Sequence, residues 1–205
     1  MFFDLTYLLA LIVVLTVHEC SHAWAATQLG DPTAERAGRL SLNPLRHLDL
    51  FGTLMLFFVG IGWGKPVPVN PRNFAKPVRD QALTALAGPA ANLILAFLAG
   101  IPFTYLAHTS VFWGFSGALL DVSLLLFLFN MFPFPPLDGS KFYALFLPRR
   151  YQERYHEFLD KSMSYFVAFM IFDLYFLPSV LGFSLVWTTV SQLAFWLKTA
   201  ILVIV

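Results

Sequence analysis

The sequence predicts an all-α protein that passes several times through a membrane, and three observations carry that reading. Hydrophobic residues make up 58% of the 205 and charged residues only 12%, against roughly 25% charged in soluble domains. Apolar runs near the ~20 residues needed to cross hydrocarbon recur along the chain. Lys and Arg gather in some connecting loops and are missing from others, which is how the two sides of a membrane mark a sequence. The expected architecture is about five transmembrane helices plus a re-entrant or short membrane segment near 50–70. A single domain, 1–205, fits the length, with the motifs that carry chemistry at 18–139 and C-terminal helices at 163–205.

The first run, 5–28, has the apolar stretch of a secretory leader. It carries Asp4 where a basic start belongs and has no small-residue cleavage site, so it is read as a retained span. Leu50 to Trp63 is apolar but short and contains Gly52, Gly60 and Gly62, a length that commonly dips into a membrane or lies buried. Longer runs follow at 82–107 and 115–133, and 163–205 holds two helices divided at Pro178 and Gly182.

Loop charge decides whether the short run crosses. Arg36, Arg39 and Arg46 precede it, and Lys65, Arg72, Lys76 and Arg79 follow it. The loop at 108–114 and the Pro178 turn carry no Lys or Arg, whereas Lys141, Arg149, Arg150, Arg154 and Lys161 lie at 141–161. If the run dips and returns, every basic loop shares one side and every uncharged loop the other. A full crossing strands three arginines. Re-entry is therefore expected, with the basic loops in the cytoplasm of an integral multi-pass protein of the cell (plasma) membrane.

Within the first run lie His18, Glu19 and His22, an HExxH sequence. Helical residues four apart differ by about 40° of rotation and about 6 Å of rise, so both imidazoles face one ion. Zinc takes such a pair plus a third protein ligand and keeps a position open for water. Glu19 then stands where a general base is needed. Ionisable groups in hydrocarbon are costly and mark function. The third ligand has three acidic candidates in the apolar part of the chain: Asp121, Asp138 and Asp173. With re-entry, the first run and the run at 115–133 both descend toward the cytoplasm, which brings Asp138 level with His18 and His22. Taken alone, an acidic residue before a glycine at a helix end is more often a turn or cap.

His18-Glu19-Cys20-Ser21-His22, Gly88-Pro89-Ala90-Ala91-Asn92 and the run from Asn130 through Pro133 to Leu137-Asp138-Gly139 occur in that order. They resemble the HExxH, GPxxN and NxxPxxxLDG signatures of the site-2 proteases, intramembrane zinc metalloproteases. The likeness covers roughly 120 residues, His18 to Gly139, and three ordered motifs are far more specific than one. It implies one zinc ion per chain held by His18, His22 and Asp138, with Glu19 as general base. It also implies hydrolysis of peptide bonds in transmembrane protein substrates, with the metal nearer the cytoplasmic face. Ser140 stands where many members have a second glycine. No inserted PDZ-like domain fits between the first run and Gly88, so a compact member is implied.

Gly88 and Pro89 are expected to begin a helix close to the metal motif. Asn92, one turn on, is a candidate to hold substrate backbone or stabilise an oxyanion, the alternative being an interhelical tie. Asn130 and His47 are candidates for outer partners that orient the site. Asn130 equally suits carbonyls freed by Pro133, and His47 with Asp49 suits an anchored interfacial loop. Gly62 to Asn70 alternates small, proline and β-branched residues, as an extended edge for an unwound substrate would, or as a stiff linker would.

The net charge of +1 and the absence of a basic stripe exclude nucleic acid as a partner; the expected partners are membrane proteins and the lipid bilayer. Cys20 is the only cysteine, so no internal disulfide forms and a small buried filler is the expected role. Two other classes fit parts of the pattern: a catalytically silent relative serving as a membrane binding or regulatory module, and a metal-ion transporter. The transporter has no need of Glu19 between the histidines. Oligomeric state is not encoded in these features.

Overall fold

The computed structural model describes residues 4–59 and 62–205. α1 (Leu5–Gln28) starts at Asp4, whose carboxylate accepts from the Thr6 amide at 2.9 Å and so satisfies one of the helix's free donors. The loop that follows carries the single turn α2 (Thr33–Arg36) and a 3-10 turn, Pro44–Arg46.

α3 (Leu50–Val59) has 10 residues, about 15 Å of helix and half the thickness of the hydrocarbon core. The two ends of this segment meet. Leu48 and Gly64 form an antiparallel bridge, and the Lys65 amide donates to the His47 carbonyl at 2.7 Å. With its ends paired, the segment returns to the level at which it starts. Gly52 closes the loop: a Cβ there would sit 2.1 Å from the Trp63 carbonyl oxygen.

α4 (Pro77–Tyr105) and α5 (Val111–Asn130) form the centre of the bundle with α1. After a turn containing a cis Pro135–Pro136 bond come α6 (Asp138–Tyr143) and α7 (Arg149–Ile171). α7 continues through a π-turn, Phe172–Phe176, into α8 (Leu177–Leu181), and stops at Gly182, whose φ of 81° few other residues adopt. α9 (Leu185–Ile204) ends the chain. Among the described residues, five helical stretches are long and apolar enough to span a membrane: α1, α4, α5, Ser162–Leu181 and α9. The chain is an all-α, polytopic integral membrane protein.

Two expectations are corrected. Gly88 and Pro89 lie in the middle of α4, which begins at Pro77; a proline in the first turn lacks only a donor the helix would leave free. The charged stretch from Arg149 is already helix, since Glu, Lys, Arg and Gln are good helix formers whatever their polarity, and Pro178 sits inside the continued helix. α9 closes against α4: a Cβ at Gly100 would meet Ile201 at 2.9 Å and Val205 at 3.5 Å, and the Tyr105 hydroxyl donates to the Val205 carbonyl at 2.6 Å.

Small residues let the helices approach. Ala96 and Ala99 of α4 pack with Leu120 and Leu124 of α5 and Ile201 of α9, while Ala10 and Val14 of α1 meet Ala118 and Val122. Membrane helices gain most of their association from such close van der Waals packing. Two carboxylates serve the scaffold. Asp121 pairs with Lys198 of α9 at 2.6 Å and accepts from the Tyr7 hydroxyl at 3.3 Å. Asp173 accepts from the Ser184 hydroxyl at 2.5 Å and the Leu185 amide at 2.9 Å, capping α9.

A polar clamp outside the spans fixes the chain on both sides of the extended stretch 64–70. Fully buried Asp31 accepts from the Thr33 hydroxyl at 2.5 Å, the Asn73 amide group at 2.6 Å and the Asn70 backbone amide at 2.7 Å. Burial pushes its carboxyl up, but these hydrogen bonds outweigh it and hold the group below the ordinary carboxylate range. At the other end, the buried Arg39 guanidinium donates to the Lys65 carbonyl.

Candidate active site

α1 presents His18 and His22 on one face toward α4 and the start of α6. Their Nε2 atoms lie 3.0 Å apart, and each is 3.1 Å from Oδ2 of Asp138. Among the described residues this is the one group of three such side chains whose donor atoms converge on a single point. Both histidines are buried, and Asp138 is mostly so.

Burial pushes the Asp138 carboxyl up, while His22 and His18 outweigh it and hold the group well below the usual range. Two imidazole nitrogens and one carboxylate oxygen at mutual spacings of about 3 Å are what a tetrahedral zinc site requires of its protein, with the fourth direction open.

The backbone makes room for this triangle. A Cβ at Gly88 would stand 2.4 Å from His22 Nε2 and 2.7 Å from His18 Cε1, so α4 can lie against the rings only because residue 88 has no side chain. A Cβ at Gly139 would meet the Met131 carbonyl oxygen at 2.4 Å, so the Asp138-Gly139 pair is fixed by the turn that folds α6 back beneath α5. The remaining ring nitrogens also have partners. His22 Nδ1 lies 2.7 Å from the Thr84 carbonyl oxygen, and His18 Nδ1 lies 3.0 Å from the Asn92 amide group. On the other side of the carboxylate, Lys141 Nζ is 3.9 Å from Asp138 Oδ1.

Glu19, next to His18 and half-buried, opens with the three donors into a cavity of about 740 Å³. Gly64, Val67 and Val69 of the extended stretch form one wall, and Met163 and Phe166 of α7 form another. The site therefore combines donors for a metal, a carboxylate beside them, an apolar chamber and a length of extended backbone. Arg39 lies close enough to feel the charge of Glu19, which raises the pKa of a guanidinium that burial lowers.

Of the residues singled out from sequence, His18, Glu19, His22 and Asp138 are brought together here. Asn92 is fully buried behind His18 and is not a cavity wall. Asn130 does line the cavity, with its amide donating to the Leu126 carbonyl at 3.0 Å. His47 is fully buried away from the triangle; its Nε2 lies 2.7 Å from the Ser41 carbonyl oxygen and its own carbonyl receives Lys65. Asp49 accepts from the Gly52 amide at 2.8 Å and caps α3. Sequence reasoning missed Thr84, which acts through a carbonyl every residue has. It also missed Lys141, for which the i, i+3 spacing from Asp138 on a helix is the available signal.

The sequence pattern of Peptidase family M50 matches residues 6–119. The chain belongs to peptidase family M50. A family relative named "Putative zinc metalloprotease YwhC", from Bacillus subtilis (strain 168), is 40% identical over 174 residues, covering 80% of this chain and 77% of YwhC. "Putative zinc metalloprotease Rip2" of Mycolicibacterium smegmatis is 37% identical over 139 residues, and its Mycobacterium tuberculosis (strain H37Rv) counterpart 32% over 134, each match covering 62% of this chain. These matches span 52% of the Rip2 chains. No solved structure matches.

Proposed function

We propose that this M50 protein is an intramembrane zinc metalloendopeptidase that hydrolyses peptide bonds in or near the transmembrane segments of other membrane proteins. The observation that carries the reading is the buried triangle of His18, His22 and Asp138 with Glu19 beside it, opening into an apolar cavity between membrane-spanning helices. The zinc named in the relatives' titles suits this donor set. When bound there, zinc supplies a Lewis acid for the scissile carbonyl and makes water easier to deprotonate.

The chain's own residues supply the rest. His18, His22 and Asp138 hold the ion. Glu19 takes a proton from the attacking water and delivers it to the leaving amine. The cavity walls exclude bulk water, which strengthens each of these electrostatic contacts. A helical substrate keeps its carbonyls in internal hydrogen bonds, so cleavage needs a locally extended segment. The stretch 64–69, held between Arg39 and Asp31, offers it a backbone to pair with. Replacing Val67 by proline removes a donor from that edge and should raise the KM for a transmembrane substrate several-fold; unchanged KM and kcat would refute the pairing.

The whole chain acts as one domain, with its basic loops and the metal end at the cytoplasmic face of the cell membrane. The distribution of basic residues among the loops supports this orientation. The deciding experiment is zinc content and cleavage of a panel of transmembrane peptides by purified wild type and Asp138→Ala. Wild type should bind one zinc and cleave, and Asp138→Ala should lose both. Cleavage retained by Asp138→Ala would sink the assignment of the ligands, and a zinc-binding wild type that cleaves nothing would favour a silent binding module.

A further inference from the structure

We infer that Asn92 is a positioning residue for the metal site: its side-chain carbonyl accepts the Nδ1 proton of His18 and locks that imidazole with Nε2 toward the ion. The inference rests on zinc ligation by His18. It differs from a role in substrate or oxyanion contact, for which Asn92 is in the wrong place.

Position is the first argument. Asn92 has no exposed surface, is not among the residues lining the cavity, and lies 3.0 Å from Nδ1 of His18, on the edge of the ring opposite the nitrogen that faces Asp138. A donor for an oxyanion must point into the chamber where the peptide carbonyl lies. This amide points at the back of a ligand.

Proton count is the second. A neutral imidazole carries one proton. With the lone pair of Nε2 committed to a metal, that proton is on Nδ1 and needs an acceptor, as metal-bound histidines almost always have. His22 meets the requirement with the Thr84 carbonyl at 2.7 Å. Among the described residues, the partner of His18 Nδ1 is the amide of Asn92. In the structure Nδ2 is the end facing Nδ1, and Oδ1 is buried with no donor in reach among the described residues. A half-turn of the amide, which preserves its volume, turns Oδ1 to Nδ1, where it accepts from Nδ1–H.

The pattern on α4 follows from this. Thr84, Gly88 and Asn92 are spaced four apart and so lie on one helical face, and that face provides a carbonyl for one ligand, clearance for both rings, and an amide for the other.

The test measures metal affinity rather than turnover. Full-length protein in detergent is stripped of metal, and zinc binding is measured by competition with a chromophoric chelator in wild type, Asn92→Ala, Asn92→Asp and His18→Ala. Cobalt absorption spectra of the same proteins report ligand geometry. Asn92→Ala should bind zinc about 10- to 100-fold more weakly with an altered cobalt spectrum. Asn92→Asp, which can only accept at that position, should restore near wild-type affinity. Wild-type affinity in Asn92→Ala would overturn the inference, and so would an equal loss in Asn92→Ala and Asn92→Asp, which would indicate packing alone. If His18→Ala binds zinc as tightly as wild type, the ligand assignment itself fails, a result distinct from either of these.

Discussion

Glu19→Gln is expected to abolish peptide hydrolysis while leaving one zinc bound per chain. Glutamine keeps the length and shape of glutamate and keeps a carbonyl oxygen in the same place, but it cannot take up a proton at neutral pH. Glu19 lies outside the group of donors that converge on the metal position, so removing its charge leaves the ligand triangle intact. General-base catalysis by one positioned side chain is worth about 10²- to 10⁴-fold. The cleavage rate of a transmembrane peptide should fall by at least the lower figure, with zinc content measured on the same preparation unchanged. Cleavage within a factor of about three of wild type, well short of that general-base contribution, would remove Glu19 from the mechanism. Loss of zinc together with activity would make Glu19 part of the ligand set. A transporter or a silent binding module would show no effect at all, because neither moves a proton through this residue.

The sequence carried the centre of this site because its signals are local or depend on charge. The two imidazoles of His18 and His22 share a face by helical period alone. The return of the chain was legible because seven basic residues flank the short apolar run on both sides, and the structure pairs its ends through Leu48 and Gly64. Asp138 needed both facts together, the topology to set its level and the turn around Gly139 to aim it.

What was not legible depends on groups the sequence does not distinguish. Thr84 contributes a main-chain carbonyl, which has no residue signature. Asn92 could be assigned to membrane-buried chemistry, but whether it faces substrate or a ligand depends on how α4 is rotated against α1. That rotation is set by Gly88, and a Gly-Pro pair read from sequence suits a helix start as well as a close helix contact. Asp121 and Asp173 are, from sequence, candidate carboxylates in the apolar runs alongside Asp138. One is occupied by Lys198 and the other by the N-terminus of α9.

Gly88→Ala should empty the metal site without unfolding the protein, and the opposite signs of those two effects make the prediction sharp. In a helix interior alanine is favoured over glycine by about 1 kcal/mol, so helix propensity alone predicts that α4 becomes more stable. The added Cβ, however, would stand 2.4 Å from His22 Nε2, 2.6 Å from His22 Cε1 and 2.7 Å from His18 Cε1, well inside van der Waals contact. The rings can relieve the overlap by turning aside, but turning moves the two Nε2 atoms out of the triangle with Asp138 and pulls His22 from the Thr84 carbonyl. The helix can relieve it by retreating, but retreat carries Thr84 and Asn92 away from both ligands. Overpacking of this kind costs about 1–3 kcal/mol, and here it falls on the ligand geometry, which corresponds to roughly 5- to 150-fold weaker zinc binding. Chelator competition should register that loss and cleavage should fall with it, while helical content and thermal midpoint in detergent stay at or above wild type. A substitution that merely damaged the fold would lower all four. Wild-type zinc affinity in Gly88→Ala would mean that α4 does not press on the histidines, and the account of why this helix carries a glycine at that turn would be wrong.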